Sequence, residues 1–560
     1  MVSCESHTIK GLEPSRATTD NESPCLVHKP TLKLPVHNAA PIPVPDADSI
    51  LVVPLGGTDR VGMNFTAYGT NGRWVLVDMG ATFPGADDDQ AADFAEAHEA
   101  EVDQIIPDPR SFQDILRRLD AIVLTHAHED HIGAIAPLLA FSAAWPKLAT
   151  VPIYGTPYTL GIVKNKLREI GRSHPLRTMF PKRTSRIGPF EITPIRVTHS
   201  APETMALSIA ARPGRIVHAS DFKLDEDPVL GGRTDYTSLQ RIGDHGVLAF
   251  MGDSTNAHLE GKARTEGEVM AGLTSIMQQH KGRVVVSTFA SNLARIEGIR
   301  LAAKRSGRLL ASSGLSIARN IENAKATGVI NPTLTPFLDG RRLPRDIAPD
   351  RLAMVCTGTQ AEERSALRRM ADDLEMGRRT PHGAMRLEEG DMVIHSARAI
   401  PGNEATIGAM FDVLRSHGVV VIDAESGLPV HASGHGRRGD LADMYRMLQP
   451  RFALPVHGTR ALVGAHADLA ASMKGVEAVA TPSEGEILRI DRAGITRVGR
   501  MEISLVAVMR GIGSNAGKEK LAPWPTGREP ALVRNVEPFR RPRPLAPRRE
   551  IAPVAPAPGM

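Results

Sequence analysis

Three observations predict an α/β fold for this chain. Short apolar runs rich in β-branched residues recur along it, helical patterns separate them, and metal-binding side chains stand just past the ends of several runs. Taken in order, residues 50–55 and 74–77 are β-rich and bounded by glycine. Residues 105–119 contain a helical stretch, and 121–124 are a buried strand. Strands and helices alternate through the 150s to the 220s. Further buried-strand candidates are 284–287, 309–312, 353–356, 392–395 and 419–422, with helical patterns between them. That alternation implies a doubly wound sheet. No internal repeat is evident.

The ends read differently. Residues 1–47 are polar and proline-punctuated without periodicity, the pattern of a disordered extension or of a start site placed too far upstream. From about Asn515 the chain turns proline- and arginine-rich, with Phe539-Arg540-Arg541-Pro542-Arg543-Pro544 and then Arg548-Arg549. The stretch 506–560 is accordingly expected to be a disordered tail, whose basic residues are able to hold RNA electrostatically.

With 560 residues there is length for two or three domains. A net charge of +4, from 67 basic and 63 acidic residues, points to no partner, so a nucleic-acid site must be a local surface. The three cysteines, Cys4, Cys25 and Cys356, are too few and too scattered for a disulfide framework, which suggests a reducing, cytoplasmic compartment. There is no apolar signal region and no 18-residue apolar stretch, so no membrane association is expected.

The richest segment is Thr125-His126-Ala127-His128-Glu129-Asp130-His131, directly after a strand. Imidazole and carboxylate suit Zn²⁺. On an extended segment His126 and His128 point the same way and reach one ion; Asp130 and His131 follow as the chain turns and reach a second. Other polar residues end apolar runs in the same manner: Asp78 after 75–77, His199 after 197–198, Asp221 after 216–220 and His457 after 454–456. Ligands at the ends of several strands describe a site on the rim of a sheet.

The order Asp78, His126-x-His128-x-Asp130-His131, His199, Asp221 resembles the metallo-β-lactamase superfamily. Further stretches resemble its β-CASP branch, and within that the bacterial RNase J family. They are Pro54-Leu55-Gly56-Gly57 with Gly62-Met63-Asn64, Ile105-Ile106-Pro107-Asp108, Asp253-Ser254-Thr255-Asn256-Ala257, Thr288-Phe289-Ala290-Ser291-Asn292, Ile400-Pro401-Gly402-Asn403-Glu404, Ser433-Gly434-His435 and Pro455-Val456-His457-Gly458. The likeness runs from about residue 50 to about 500.

The resemblance implies a metallo-β-lactamase αββα sandwich at 48–239 and 429–505, with a β-CASP α/β domain inserted at 240–428. It implies two zinc ions, with manganese as the alternative: one on His126, His128 and His199, the other on Asp130, His131 and His457, with Asp221 bridging. Asp78 orients a ligand histidine. His435 is the general acid and Asp253 its partner. Ser433, the amides around Gly434, Ser291, Asn292 and the Thr357-Gly358-Thr359-Gln360 loop are candidates for holding a phosphate, with His431 near the substrate and His218 a core residue. The implied activity is hydrolysis of single-stranded RNA by 5′→3′ exonuclease and endonuclease action, in RNA maturation and decay. A DNA-cutting β-CASP nuclease, a lactonase- or thioesterase-like hydrolase and a non-catalytic RNA-binding relative are the alternatives. A histidine at 457 resembles RNA-processing members, and the long insertion between Asp221 and His435 disfavours a small-molecule enzyme.

Three positions depart from the family pattern: Arg60 for a usual glutamate, Gly252 for a usual serine and Ala361 for a usual glycine. The family's C-terminal domain, which supports oligomerisation, has no evident counterpart, which puts homo-oligomer formation in doubt.

Overall fold

The computed structural model describes residues 42–523, apart from 85–99, 141–144, 332–336, 341, 345, 379–384, 401 and 512–518. Two sheets form the larger body. One has eight strands in the order Ile495–Arg500, Glu486–Ile490, Ile50–Gly56, Phe65–Thr70, Arg73–Val77, Leu119–Val123, Ile153–Gly155, Leu176–Thr178. The other has seven, in the order Ala478–Val479, Phe452–Val456, Ala249–Asp253, Gly214–Ala219, Met205–Ala211, Phe190–Arg196, Ser185–Ile187.

The first strand explains the layering. Its side chains alternate, so Ile50 and Val52 enter the core between the sheets while Leu51, Val53 and Leu55 enter an outer core. Both faces are covered, and the strand is buried throughout. Val75, Val77 and Val123 meet Leu207, Ile209, Met251 and Leu454 between the sheets. Helix Pro157–Glu169 packs outside the first sheet through Leu160, Val163 and Leu167. Helices Tyr236–Asp244, Arg438–Leu448 and Arg460–Ser472 cover the second through Leu239, Tyr445 and Leu469. The result is a four-layer αββα sandwich.

A six-stranded, wholly parallel sheet makes the inserted body, ordered Leu338–Asp339, Leu309–Ser313, Leu352–Cys356, Val284–Ser287, Met392–His395, Val420–Ile422. Parallel neighbours require crossovers, and helices supply them. Val284 and Val286 face one helical layer and Val285 the other.

Several boundaries differ from those read in the sequence. Helix Tyr236–Asp244 and strand Ala249–Asp253 belong to the sandwich, not to the insertion expected from 240; the strand pairs with Gly214–Ala219 and Phe452–Val456. A short, fully buried run looks alike in either sheet, so its pattern could not assign it. The tail expected from 506 is also corrected. Leu505–Gly511 and Glu519–Pro523 form a three-stranded sheet with Ala100–Pro107. Ile105, Ala507 and Met509 pack on Met63 beneath it. The stretch Ile105 to Asp108 is therefore mostly strand. Residues 42–47, assigned to the extension, lie against the sandwich: Pro45 and Asp46 carbonyls accept from Gly72 and Asn71. Residues 1–41 and 524–560 lie outside the described residues.

Candidate metal centre

Every predicted ligand follows a strand and sits at one rim. Asp78 follows Arg73–Val77, and His126 and His128 follow its parallel neighbour Leu119–Val123. Asp130 and His131 ride on the short helix Glu129–Ile132. His199 follows Phe190–Arg196. Asp221, Asp253 and His457 stand at the ends of three adjacent parallel strands. Carboxyl ends of parallel strands are where open α/β sheets place their sites.

The motif is held by close backbone approach. Met79 and Ala81 amides donate to the carbonyls of His131 and Glu129, and the Asn64 amide donates to Asp130. A Cβ at Gly80 would stand 1.7 Å from the Asp130 carbonyl oxygen, so only glycine fits. Asp78 and His457 both hold left-handed backbones, with φ of 60° and 53°.

Three groups of potential ligand atoms result among the described residues: His126, His128, His199 and Asp221; Asp130, His131, Asp221 and His457, these two being the expected clusters; and Asp221, Asp253, His435 and His457, which overlaps the second. In the first, His126 Nε2 and His199 Nε2 lie 3.0 and 3.1 Å from His128 Nδ1, with Asp221 Oδ2 3.7 and 3.5 Å from the two Nε2 atoms. In the second, Asp221 Oδ1 is 3.3 Å from His131 Nε2 and 2.8 Å from His457 Nδ1; Asp130 Oδ2 is 3.4 Å from a nitrogen of each ring.

The outer hydrogen bonds define which nitrogens are bare. Thr125 Oγ1 donates to Asp78 Oδ2 at 2.8 Å, so it is left to accept from His126 Nδ1 at 3.0 Å. His199 Nδ1 donates to the Gly434 carbonyl at 2.7 Å. His131 Nδ1 donates to Asp78 Oδ2 at 2.7 Å. In all three rings Nε2 is then left with a lone pair: His126 Nε2 and His199 Nε2 face His128 Nδ1 and Asp221, with the Ser200 hydroxyl 3.4 Å from His199 Nε2, and His131 Nε2 faces Asp130 and Asp221 while accepting from Asn64 Nδ2 at 3.0 Å. Both ring nitrogens of buried His457 also lack an aligned hydrogen bond. Ring nitrogens and carboxylates converging in a buried space call for positive charge among them: burial pulls the His131 and His457 imidazoles down, but the carboxylates outweigh it and push both upward in the absence of metal. The donor set, nitrogen with carboxylate oxygen, therefore fits divalent metal.

His435 stands beside the shared carboxylate, its Nε2 3.9 Å from Asp221 Oδ2. Its Nδ1 pairs with Asp253 Oδ2 at 2.7 Å, and Asp253 Oδ1 is fixed by the amide and hydroxyl of Thr255. Burial pulls the His435 imidazole down, but Asp253 and Asp221 outweigh it and the net displacement is upward.

The expected phosphate residues are more dispersed. Ser433 Oγ accepts from Asn256 Nδ2 at 2.9 Å and from the His435 amide. Gly434 packs on His199, whose Cε1 would lie 2.6 Å from an added Cβ. Asn292 accepts from the Arg295 amide as the cap of helix Leu293–Arg305, with half-buried Ser291 before it. His431 donates from Nδ1 to the Ser396 carbonyl and belongs to neither ligand cluster; burial and Arg295 push it down to about 3. His218 is buried, 2.7 Å from the Tyr68 hydroxyl. Arg60 pairs with Glu484. Gly252 packs on Phe250 and His466, and an added Cβ would stand 2.7 Å from the Phe250 ring, which would have to shift. Ala361 adopts φ 56°, the left-handed region where the family's usual glycine is at ease.

Sequence reasoning gave no role to Thr125, Asn64, Thr255 or Asn256. Asn64 Nδ2 reaches Asp130 Oδ2 at 3.2 Å, and Asn256 also donates to the His435 carbonyl. All four lay inside or next to conspicuous motifs, but nothing in the pattern distinguishes a supporting hydroxyl or amide from a loop residue.

This sandwich, with ligand clusters sharing one aspartate and an inserted α/β domain, defines a metal-dependent hydrolase of the metallo-β-lactamase fold. Residues 73–241 match the beta-lactamase superfamily domain, 281–414 the ribonuclease J beta-CASP domain, and 429–482 the Zn-dependent metallo-hydrolase RNA specificity domain. Ribonuclease J of Sinorhizobium meliloti is 37% identical over 453 residues, covering 79% of this chain and 74% of that protein. Ribonuclease J of Mycolicibacterium smegmatis is 36% identical over 474 residues, covering 83% and 78%. A crystal structure of a protein of unknown function from Enterococcus faecalis shares the fold, with a TM-score of 0.53 at 13% identity over 79% of this chain and all of that one. The chain belongs to the ribonuclease J family.

Proposed function

We propose that this chain is a metal-dependent ribonuclease that hydrolyses single-stranded RNA from the 5′ end and at internal bonds, in RNA maturation and decay. One observation carries the reading: two ligand clusters share Asp221, and His435, backed by Asp253, faces that same carboxylate. His126, His128, His199 and Asp221 would hold one ion, and Asp130, His131, Asp221 and His457 would hold a second. Zinc is the metal these ligands suit best, with manganese the alternative. Such ions polarise a phosphoryl oxygen and provide a strong water-derived nucleophile at neutral pH.

The chain's own residues do the rest. His435 donates a proton from Nε2 to the leaving oxygen, and Asp253 holds the Nδ1 proton, orienting the ring and favouring its cation. Asp78 holds the His131 Nδ1 proton and keeps Nε2 free. Ser433, Ser291 and Asn292, with backbone amides near Gly434, hold a 5′ phosphate, and His431 lies near the substrate. RNA lies between the sandwich and the inserted domain. The place of action is the cytoplasm.

The test is digestion of one labelled RNA as 5′ monophosphate and 5′ triphosphate, with a matched DNA. Mononucleotide release from the monophosphate alone is the expected result. Cleavage of DNA in preference to RNA would overturn the proposal.

A further inference from the structure

The chain crosses from sandwich to inserted domain near Glu266 and returns through residues 430–432, just before His435. Both crossings meet at one side chain. Arg295, in the first turn of helix Leu293–Arg305, has no exposed surface. Its Nε and Nη2 reach Glu266 Oε2 and Oε1 at 2.8 and 3.1 Å. Nη2 also donates to the Ala432 carbonyl at 3.1 Å. Nη1 donates to Ser396 Oγ at 2.5 Å, to the Ser396 carbonyl at 3.1 Å and, at 3.5 Å, towards the Val430 carbonyl. Ser396 Oγ donates in turn to Val430 at 2.6 Å.

The network continues to the metal ligands. Lys223 Nζ lies 3.3 Å from Glu266 Oε1 and 3.1 Å from Asp225 Oδ2. Asp225 Oδ2 accepts from the Glu266 amide, and the Asp225 amide donates to Thr198 Oγ1. Thr198 precedes His199, and Lys223 follows Asp221 by two residues. Two cations and two anions thus close a neutral, buried cluster that ties the loops of His199 and Asp221 to the segment carrying His435.

We propose that Arg295 is a positioning residue for the general acid: its fork fixes the 430–432 segment and so sets His435 against the scissile bond. The proposal rests on the reading of His435 as that acid. Only a guanidinium supplies five donors in one plane; lysine retains the charge but cannot span Glu266, Ser396 and Ala432 together. A shift of about 1 Å at a reacting group costs up to roughly 10²-fold in rate.

Arg295→Lys, with Ser396→Ala as a milder variant that strands no buried charge, is assayed on RNA and on bis(p-nitrophenyl) phosphate, whose leaving group needs no proton. Expected for both variants are a loss of kcat on RNA, roughly 10–100-fold for Arg295→Lys, KM held, bound metal unchanged, and little loss on the activated ester. In a His435→Ala background Arg295→Lys adds no further loss. Equal losses on both substrates, or additivity with His435→Ala, would mean that Arg295 serves the fold alone and overturn the proposal. If His435→Ala itself spares RNA cleavage, the acid assignment fails, an outcome separate from failure of the clamp.

Discussion

Asp78→Asn isolates the role of one buried carboxylate. Asp78 accepts from the Thr125 amide and hydroxyl, both at 2.8 Å, and from His131 Nδ1 at 2.7 Å. Asparagine is nearly the same shape and tolerates φ of 60°. Its carbonyl, in place of Oδ1, still serves the Thr125 amide, but its amide group, in place of Oδ2, puts a donor opposite both the Thr125 hydroxyl and the His131 Nδ1 proton. That proton is then driven to Nε2, the atom facing Asp130 and Asp221. Loss of such a partner lowers metal affinity by about 10–100-fold, or about 1.4–2.7 kcal/mol. Alanine does more. It strands the Thr125 amide at about 1–3 kcal/mol and adds about 1–2 kcal/mol for a left-handed backbone. Competition with a chromogenic chelator measures affinity, and thermal unfolding of the metal-free proteins measures stability. The expected pattern is an asparagine variant with weakened metal binding and stability near the parent, and an alanine variant deficient in both. Parental metal affinity in Asp78→Asn would refute the tautomer argument.

Gly80→Ala should yield little folded, metal-binding protein, measured by soluble yield and metal content, because its Cβ would overlap the Asp130 carbonyl. His435→Ala should retain bound metal yet cleave RNA about 10²–10⁴-fold more slowly, read by single-turnover kinetics. Stripping metal with a chelator should lower the melting temperature as well as abolish cleavage, since an ion held by the folded chain alone stabilises it by mass action; calorimetry before and after adding zinc back checks this. Glu266 gives an acid limb. Burial raises its carboxyl, but Arg295 and Lys223 outweigh that and hold it at about 2. Its contribution, about 3 kcal/mol, is present above the ordinary carboxylate range near 4.5 and is lost as pH falls through 2. Glu266→Gln should therefore be markedly less stable than the parent at pH 7, with the gap closing between about pH 4.5 and 2.

How much was legible in the sequence depended on whether chemistry or only hydrophobicity marked a segment. His126, His128, Asp130 and His131 are conspicuous because that density of ligands serves little else, and strands such as 284–287 and 392–395 were readable as buried runs. The sheet each strand joins was not. Ala249–Asp253 pairs with strands from both sides of the insertion, a long-range fact with no local trace. Leu505–Gly511 was hidden by the proline- and arginine-rich composition downstream of it, and its partner Ala100–Pro107 lies about 400 residues away in sequence. The supports Thr125, Asn64, Thr255 and Asn256 are ordinary residues made important only by distance, and Arg295 reads as one more helix arginine until its burial is known.

The rim of strands that carries the ligands is assembled from both ends of the chain. His126 to Asp221 precede the insertion, whereas His435 and His457 come after it, and strand Phe452–Val456 must slot beside Ala249–Asp253 before His457 can reach Asp221. A nascent chain that has emerged from the ribosome only as far as the inserted domain holds most of the metal ligands but not the second complete cluster, nor the proton donor. The centre is thus a long-range product of the chain: its second cluster and its proton donor exist only once the segment after the insertion has closed onto the segment before it.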